Sequence, residues 1–176
     1  SVIAGYYQYK KLLSLSEAVN QSKKRPTYVI GGYGPTPDPE YFMEKTGADV
    51  VVMGEGEETT VELFEAFENK KSLASILGIA WKDGNKVNIN RRRGVIEDVD
   101  SIAWPAYDLF PIENYRMMRE PGCDNSDFLL PMMSGRGCTF KCTFCYRMDP
   151  GFRARNPEAI IEEMRYLQVD FGISYI

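Results

Sequence analysis

The run Asp49-Val50-Val51-Val52-Met53 limits what this chain can fold into more than any other feature. Three successive valines leave no polar face. A strand here must therefore be covered on both sides, as in a parallel sheet sandwiched by helices. The surrounding sequence supplies the rest of that pattern, alternating apolar runs with helical periodicity through the first ~90 residues. Val2-Ile3-Ala4 is a short candidate strand, and residues 8–22 predict a helix with Leu12, Leu15 and Val19 on one face. Lys23-Lys24-Arg25-Pro26 closes that helix, cations at its C-terminal end and a proline that cannot continue it. Tyr28-Val29-Ile30 is the next strand. Pro37 to Thr46 predicts a short helix with proline in its first turn, ended by Gly47. Glu57 to Asn69 predicts a second, with Val61, Phe64 and Phe67 as its core stripe. Residues 79–82 and 86–89 then form a hairpin around Asp83-Gly84-Asn85.

Residues 91–127 differ in character. Arg91-Arg92-Arg93 is followed by Glu97, Asp98 and Asp100, and prolines punctuate what comes after. Trp104, Tyr107, Leu109, Phe110 and Tyr115 are too apolar for a floppy linker, so an ordered connector is expected. A second domain is expected from Phe128, with a strand at Phe128-Leu129-Leu130-Pro131-Met132-Met133 and a cysteine loop after it. Asn156-Pro157 then starts a helix whose stripe is Ile160, Ile161, Met164 and Leu167, and residues 173–176 start another strand. The fold class is α/β, divided into residues 1–90, 91–127 and 128–176. One strand–helix–strand series cannot close a barrel, so the chain reads as a fragment, inactive by itself.

Composition removes several functions. No residue is histidine, which excludes Ser-His-Asp or Cys-His catalysis and histidine-held metal within this chain. The net charge of −4 argues against a nucleic-acid binder. No apolar run approaches the ~18 residues of a membrane span. Ser1-Val2-Ile3-Ala4 lacks the basic start of a signal peptide, which makes the cytoplasm the expected location.

Three of the four cysteines, Cys138, Cys142 and Cys145, crowd into Cys138-Thr139-Phe140-Lys141-Cys142-Thr143-Phe144-Cys145, and the fourth is Cys123. That layout suits a metal better than a disulfide framework. Thiolates are soft ligands for iron–sulfur clusters and zinc. Three on one loop can hold three irons of a 4Fe–4S cube and leave the fourth open. Arg136 and Lys141 favour thiolate over thiol. Structural zinc with Cys123 as a fourth ligand, and plain buried cysteines, are the alternatives.

Gly135-Arg136-Gly137-Cys138 through Cys145, after a strand and before a helix, resembles the signature of the radical S-adenosylmethionine superfamily. The resemblance implies a 4Fe–4S cluster held by Cys138, Cys142 and Cys145, with S-adenosylmethionine on its open iron and Phe144 near the adenine. It also implies reductive cleavage of S-adenosylmethionine to a 5′-deoxyadenosyl radical, and an electron donor such as flavodoxin or ferredoxin. Arg153 and Arg155 match a family tendency for basic residues before the helix, beside a reading as solvated loop charge.

Two glycine-rich loops follow the first-half strands: Gly31-Gly32-Tyr33-Gly34 and Gly54-Glu55-Gly56-Glu57. Both lie where ligands bind in open α/β sheets, beyond the carboxyl ends of the strands, although tight-turn chemistry explains either one alone. Together, with Gly47-Ala48-Asp49 and the Trp104-Pro105-Ala106-Tyr107-Asp108 connector, they resemble the cobalamin-binding domain N-terminal to many radical S-adenosylmethionine domains. Where that family commonly has histidine after its paired glycines, this chain has Gly34. The resemblance implies a Rossmann-like domain cradling cobalamin at Gly31, Gly32, Gly54, Glu55 and Gly56, then the start of a (β/α) partial barrel. The implied activity is methyl transfer or cyclisation on a small-molecule substrate. The alternative is a cobalamin-binding module with a structural zinc or cysteine site and no catalysis.

Overall fold

The computed structural model describes residues 6–147 and 151–176. The chain divides into two compact units: residues through Ile96 form most of the first, and Glu97 begins the second. The expected strand at Val2-Ile3-Ala4 lies outside the described residues.

The first unit is a four-stranded sheet in the order β1 (Val29–Gly31), β2 (Val50–Val52), β3 (Ile79–Asp83), β4 (Lys86–Ile89). β1 and β2 are parallel, with Ile30 opposite Val51. β3 runs antiparallel to β2, and β4 antiparallel to β3. Period-two alternation sorts the side chains into two layers. Ile30, Val51 and Ala80 pack with Leu12 of α1 (Tyr6–Gln21) and Met43 of α2 (Pro39–Thr46). Val50, Val52 and Ile79 pack on the other face with Leu63 and Ala66 of α3 (Glu57–Glu68). All three valines of β2 are buried, as the two-sided coverage requires.

The helix ends follow from their residues. Asp38 accepts the Tyr41 amide hydrogen at 3.1 Å ahead of Pro39, which opens α2. Gly47 closes α2 in the left-handed region at φ 68°, where an added Cβ would lie 2.7 Å from Asn20 Nδ2. Arg25, expected to close α1, lies beyond its last turn and ties the strands instead. Its guanidinium donates to both Asp49 carboxylate oxygens, at 2.8 and 3.1 Å, and to the Gly47 carbonyl at 2.7 Å. Asp49 in turn accepts the Tyr28 amide hydrogen at 2.7 Å, so this one cation ties the starts of both parallel strands.

Two expected helix stripes are rotated. In α1, Leu15 is exposed and Ser16 is buried instead, its hydroxyl bonded to the Leu12 carbonyl and 2.9 Å from the Tyr28 hydroxyl. In α3, Val61 and Phe64 are exposed, and Thr59, Leu63 and Ala66 face the sheet. The inward positions still follow helical spacing, but small and polar residues occupy some of them. Thr59 is tolerated inside because Arg93 Nε donates to its hydroxyl at 2.8 Å.

In the second unit three short 3-10 turns, Val99–Ser101, Tyr107–Leu109 and Ile112–Met117, carry the chain over α4 (Pro157–Phe171). Tyr107, Ile112, Phe128, Leu130, Leu167 and Ile173 form its core. The connector buries Tyr107, while Leu109 and Phe110 point outward. The strand expected at 128–133 reduces to a single parallel bridge between Leu129 and Tyr175. Pro131 follows two residues later and has no amide hydrogen to extend the ladder. α4 starts as expected, with Asn156 accepting the Glu158 amide hydrogen at 2.9 Å. Its inward face carries the buried Glu163 and Leu167, whereas Ile161 and Met164 of the expected stripe are exposed.

Candidate functional site

The two glycine loops leave the same end of the parallel pair and are tied together by one side chain. Thr36 is buried, and its hydroxyl donates to the Gly32 carbonyl at 2.7 Å. The same oxygen accepts the Gly54 amide hydrogen at 3.2 Å. Gly31 ends β1 against β2, where an added Cβ would lie 3.2 Å from the Val52 carbonyl oxygen. Gly32 has φ 98° and Gly54 has φ 78°, conformations that exclude most side chains. Beside Gly54 the space is open, with nothing within 4 Å of where a Cβ would stand. Gly56 caps α3 without a side-chain hydrogen bond. Glu55 is committed in part to the fold, since its Oε2 accepts the Ile96 amide hydrogen at 2.7 Å. The result is an open backbone cradle of Gly31, Gly32, Gly54 and Gly56 at the ligand-binding end of an α/β sheet. A flat cofactor would have room against the backbone at Gly54, whereas at Gly31 and Gly56 the Val52 and Thr60 side chains lie 3.5 Å from where a Cβ would stand. The groove at the opposite end, lined by Arg25, Asp49, Phe67 and Lys82, lies at the strand starts. Thr36 is the residue that sequence reasoning missed here; the four-residue spacing back to Gly32 was its one visible signal.

The cysteines sit on a hairpin that sequence patterning did not reveal. β5 (Gly135–Cys138) pairs antiparallel with β6 (Gly151–Ala154), and Cys138 is its last residue, opposite Gly151. Glycine makes that pairing possible. A Cβ on Gly135 would lie 2.8 Å from the Arg153 carbonyl oxygen, and one on Gly137, at φ 83°, 2.2 Å from that of Gly151. Cys142, Phe144 and Cys145 follow Cys138 in the connection between the strands. Cys138, Cys142 and Cys145 are free and exposed, and Cys123 is free and half-buried. Phe144 is 91% exposed. Three free thiols are the donors an iron–sulfur cluster takes, so the donor set fits that group. Among the described residues, no three histidine, cysteine, aspartate or glutamate side chains are gathered as a metal site.

A charged chain roots this hairpin. Arg155, directly after β6, donates through Nε to Asp100 Oδ1 at 3.2 Å and through Nη1 to Glu163. The Tyr107 hydroxyl donates to Glu163 Oε1 at 2.6 Å. Burial, and then the bond to Glu163, hold the Tyr107 phenol well above its usual pKa. Asp100, Tyr107 and Glu163 carried no functional reading from sequence, because the sequence separation of these partners hides their contact.

Residues 5–64 match the family model of the B12 binding domain. The chain is 36% identical over 152 residues to an uncharacterized methyltransferase of Pyrococcus horikoshii, covering 84% of this chain and 32% of that protein. It is 32% identical over 132 residues to the anaerobic magnesium-protoporphyrin IX monomethyl ester cyclase of Cereibacter sphaeroides, covering 72% of this chain and 21% of that protein. The chain thus spans a third or less of the curated relatives it matches. Its fold is shared with the radical S-adenosylmethionine methyltransferase TsrM of Kitasatospora setae, solved with cobalamin and a 4Fe–4S cluster bound. That match has a TM-score of 0.63 and 18% identity, over 93% of this chain and 32% of the other. Among the described residues no helix is long and apolar enough to cross a membrane.

Proposed function

We propose that the chain is part of a radical S-adenosylmethionine protein with an N-terminal cobalamin-binding domain, and that it serves reductive cleavage of S-adenosylmethionine coupled to cobalamin-dependent methyl transfer or cyclisation, a reading supported by the B12-binding match and the methyltransferase and cyclase relatives. The observation that carries this is the pairing, in one chain, of a glycine cradle at the ligand end of the sheet with three free thiols on one hairpin connection. Gly31, Gly32, Gly54, Glu55 and Gly56 border the cobalamin. The four glycines let it approach the backbone, and Glu55 secures the segment that leaves the first unit. Cys138, Cys142 and Cys145 would hold a 4Fe–4S cluster, and Phe144 would lie near the adenine of S-adenosylmethionine. When bound, the cluster supplies the electron that cleaves the sulfonium and yields the 5′-deoxyadenosyl radical. The substrate is a small molecule, the electron donor a flavodoxin or ferredoxin, and the location the cytoplasm.

Anaerobic reconstitution of the full-length protein tests this. Iron and sulfide near four each per chain, a paramagnetic signal that changes on adding S-adenosylmethionine, and loss of both in Cys142→Ala are expected. Zinc without iron or sulfide would refute the cluster and favour a binding module.

A further inference from the structure

Arg155 does not behave as a solvated loop charge. Its side chain is 11% exposed, and Glu163, which accepts from it, is 2% exposed. The guanidinium lies at the foot of the β5–β6 hairpin, touches its entering leg and is tied to its leaving leg through Asp100. On the entering leg, Nη1 donates to the Met133 carbonyl at 3.0 Å, and the Arg155 amide donates to the Ser134 carbonyl at 3.0 Å. On the leaving leg, Asp100 accepts Nε with one carboxylate oxygen and the Asn156 amide hydrogen, at 2.6 Å, with the other. Glu163 fixes the guanidinium from α4, and the Tyr107 hydroxyl fixes Glu163 from the connector.

These groups use the planar fork of arginine in a way an ammonium cannot. Nε and Nη1 point to different carboxylates, and Nη1 also reaches a backbone carbonyl. The hairpin strands themselves contribute little stiffness, because Gly135, Gly137 and Gly151 supply three of their eight residues. A four-residue ladder that rich in glycine is weak in isolation. Its geometry is therefore set from its foot, by charged groups drawn from the connector and from α4.

We propose that Arg155 is a positioning residue for the cysteine hairpin, held between Asp100 and Glu163 so that Cys138 is presented at a fixed place. This rests on the reading of Cys138, Cys142 and Cys145 as cluster ligands. Asp100 and Glu163 act through Arg155, and Tyr107 acts through Glu163.

Two variants of the full-length protein test this. Arg155→Lys keeps the charge and loses the fork. Arg155→Met with Glu163→Leu and Tyr107→Phe replaces the buried network by apolar residues of similar size and leaves no buried hydroxyl without its acceptor, an exchange that folded proteins tolerate well. Thermal melts establish that each is folded. In the metal-free protein, amide hydrogen exchange at residues 135–138 and 151–154 is expected to quicken about tenfold, the loss of one such bond. Exchange in α1 to α3 stays unchanged. After anaerobic reconstitution, iron per chain falls by about half or more in both variants, as expected for a metal site that has lost its supporting shell. Folded variants with wild-type hairpin exchange and wild-type iron would overturn the positioning role. A wild-type protein that takes up no iron would overturn the cluster reading instead, whatever the exchange rates show.

Discussion

Replacing Thr36 by valine removes one hydroxyl from the base of the glycine cradle and leaves its shape almost unchanged. The hydroxyl makes two bonds, to the Gly32 carbonyl at 2.7 Å and from the Gly54 amide at 3.2 Å. The Gly32 carbonyl keeps a partner in the variant, because the Thr36 backbone amide also donates to it at 3.3 Å. The Gly54 amide loses its acceptor. Stranding a buried donor costs about 1–3 kcal/mol. Gly54 is half-buried and opens on free space, so water recovers part of that, and a net loss of about 2 kcal/mol is expected. Urea unfolding followed by circular dichroism measures the loss. Thr36→Ser, which retains the oxygen, should recover most of it. The same substitution frees the Gly54 loop from the Gly32 loop. Cobalamin affinity, titrated by absorbance, should therefore weaken about tenfold, equivalent to about 1.4 kcal/mol. A Thr36→Val protein within about 0.5 kcal/mol of wild type would refute the accounting of hydrogen bonds. Lost stability with unchanged cobalamin affinity would refute the placement of the cofactor on these loops.

The α3 face is tested by a pair of variants. Leu63→Ala should cost about 2–5 kcal/mol, because Leu63 is fully buried, whereas Phe64→Ser should stay within about 0.5 kcal/mol, because Phe64 is 55% exposed; both are read by urea unfolding. Gly47→Ala places a side chain in the left-handed region against Asn20, and a loss of about 1–2 kcal/mol or more in the same assay is expected. Tyr107 predicts an alkaline transition. Its phenol is raised above the ordinary tyrosine value of 10.0 in the folded protein, so its neutral form stabilises the fold fully below pH 10, and that contribution is lost as pH rises through the folded pKa. The urea midpoint should fall above pH 10, with a shallower fall in Tyr107→Phe.

Much of the first unit was legible because its signals are local. The valine run of β2, the Asp38-Pro39 start and Gly47 stop of α2, and the Gly84-Asn85 turn are each fixed by neighbours in sequence. The helix stripes were harder. Val61 and Phe64 stand at helical spacing beside Leu63, and hydropathy prefers them to Thr59 for the inward face. What turns the helix is the identity of the opposing wall, where Arg93 satisfies the Thr59 hydroxyl and Val50, Val52 and Ile79 receive Leu63. In α4 the same logic buries Glu163 rather than Met164, because Arg155 and Tyr107 are there to meet it. The cysteine hairpin hid for a different reason: β5 is Gly-Arg-Gly-Cys, with no residue of high strand propensity.

The sequence by itself determined the donors: three thiols at one spacing, paired glycines after the strands, and a two-sided β strand that only an α/β arrangement can cover. Side-chain chemistry and chain spacing are local properties, and they survive without a fold. Tertiary structure alone decided which distant groups meet. Thr36 joins two loops 18 residues apart, and Asp100, Tyr107 and Glu163 converge around Arg155 across as many as 56. Such contacts exist only once packing has brought the segments together, since hydrogen bonds and ion pairs reach a few ångströms and take no account of separation along the chain.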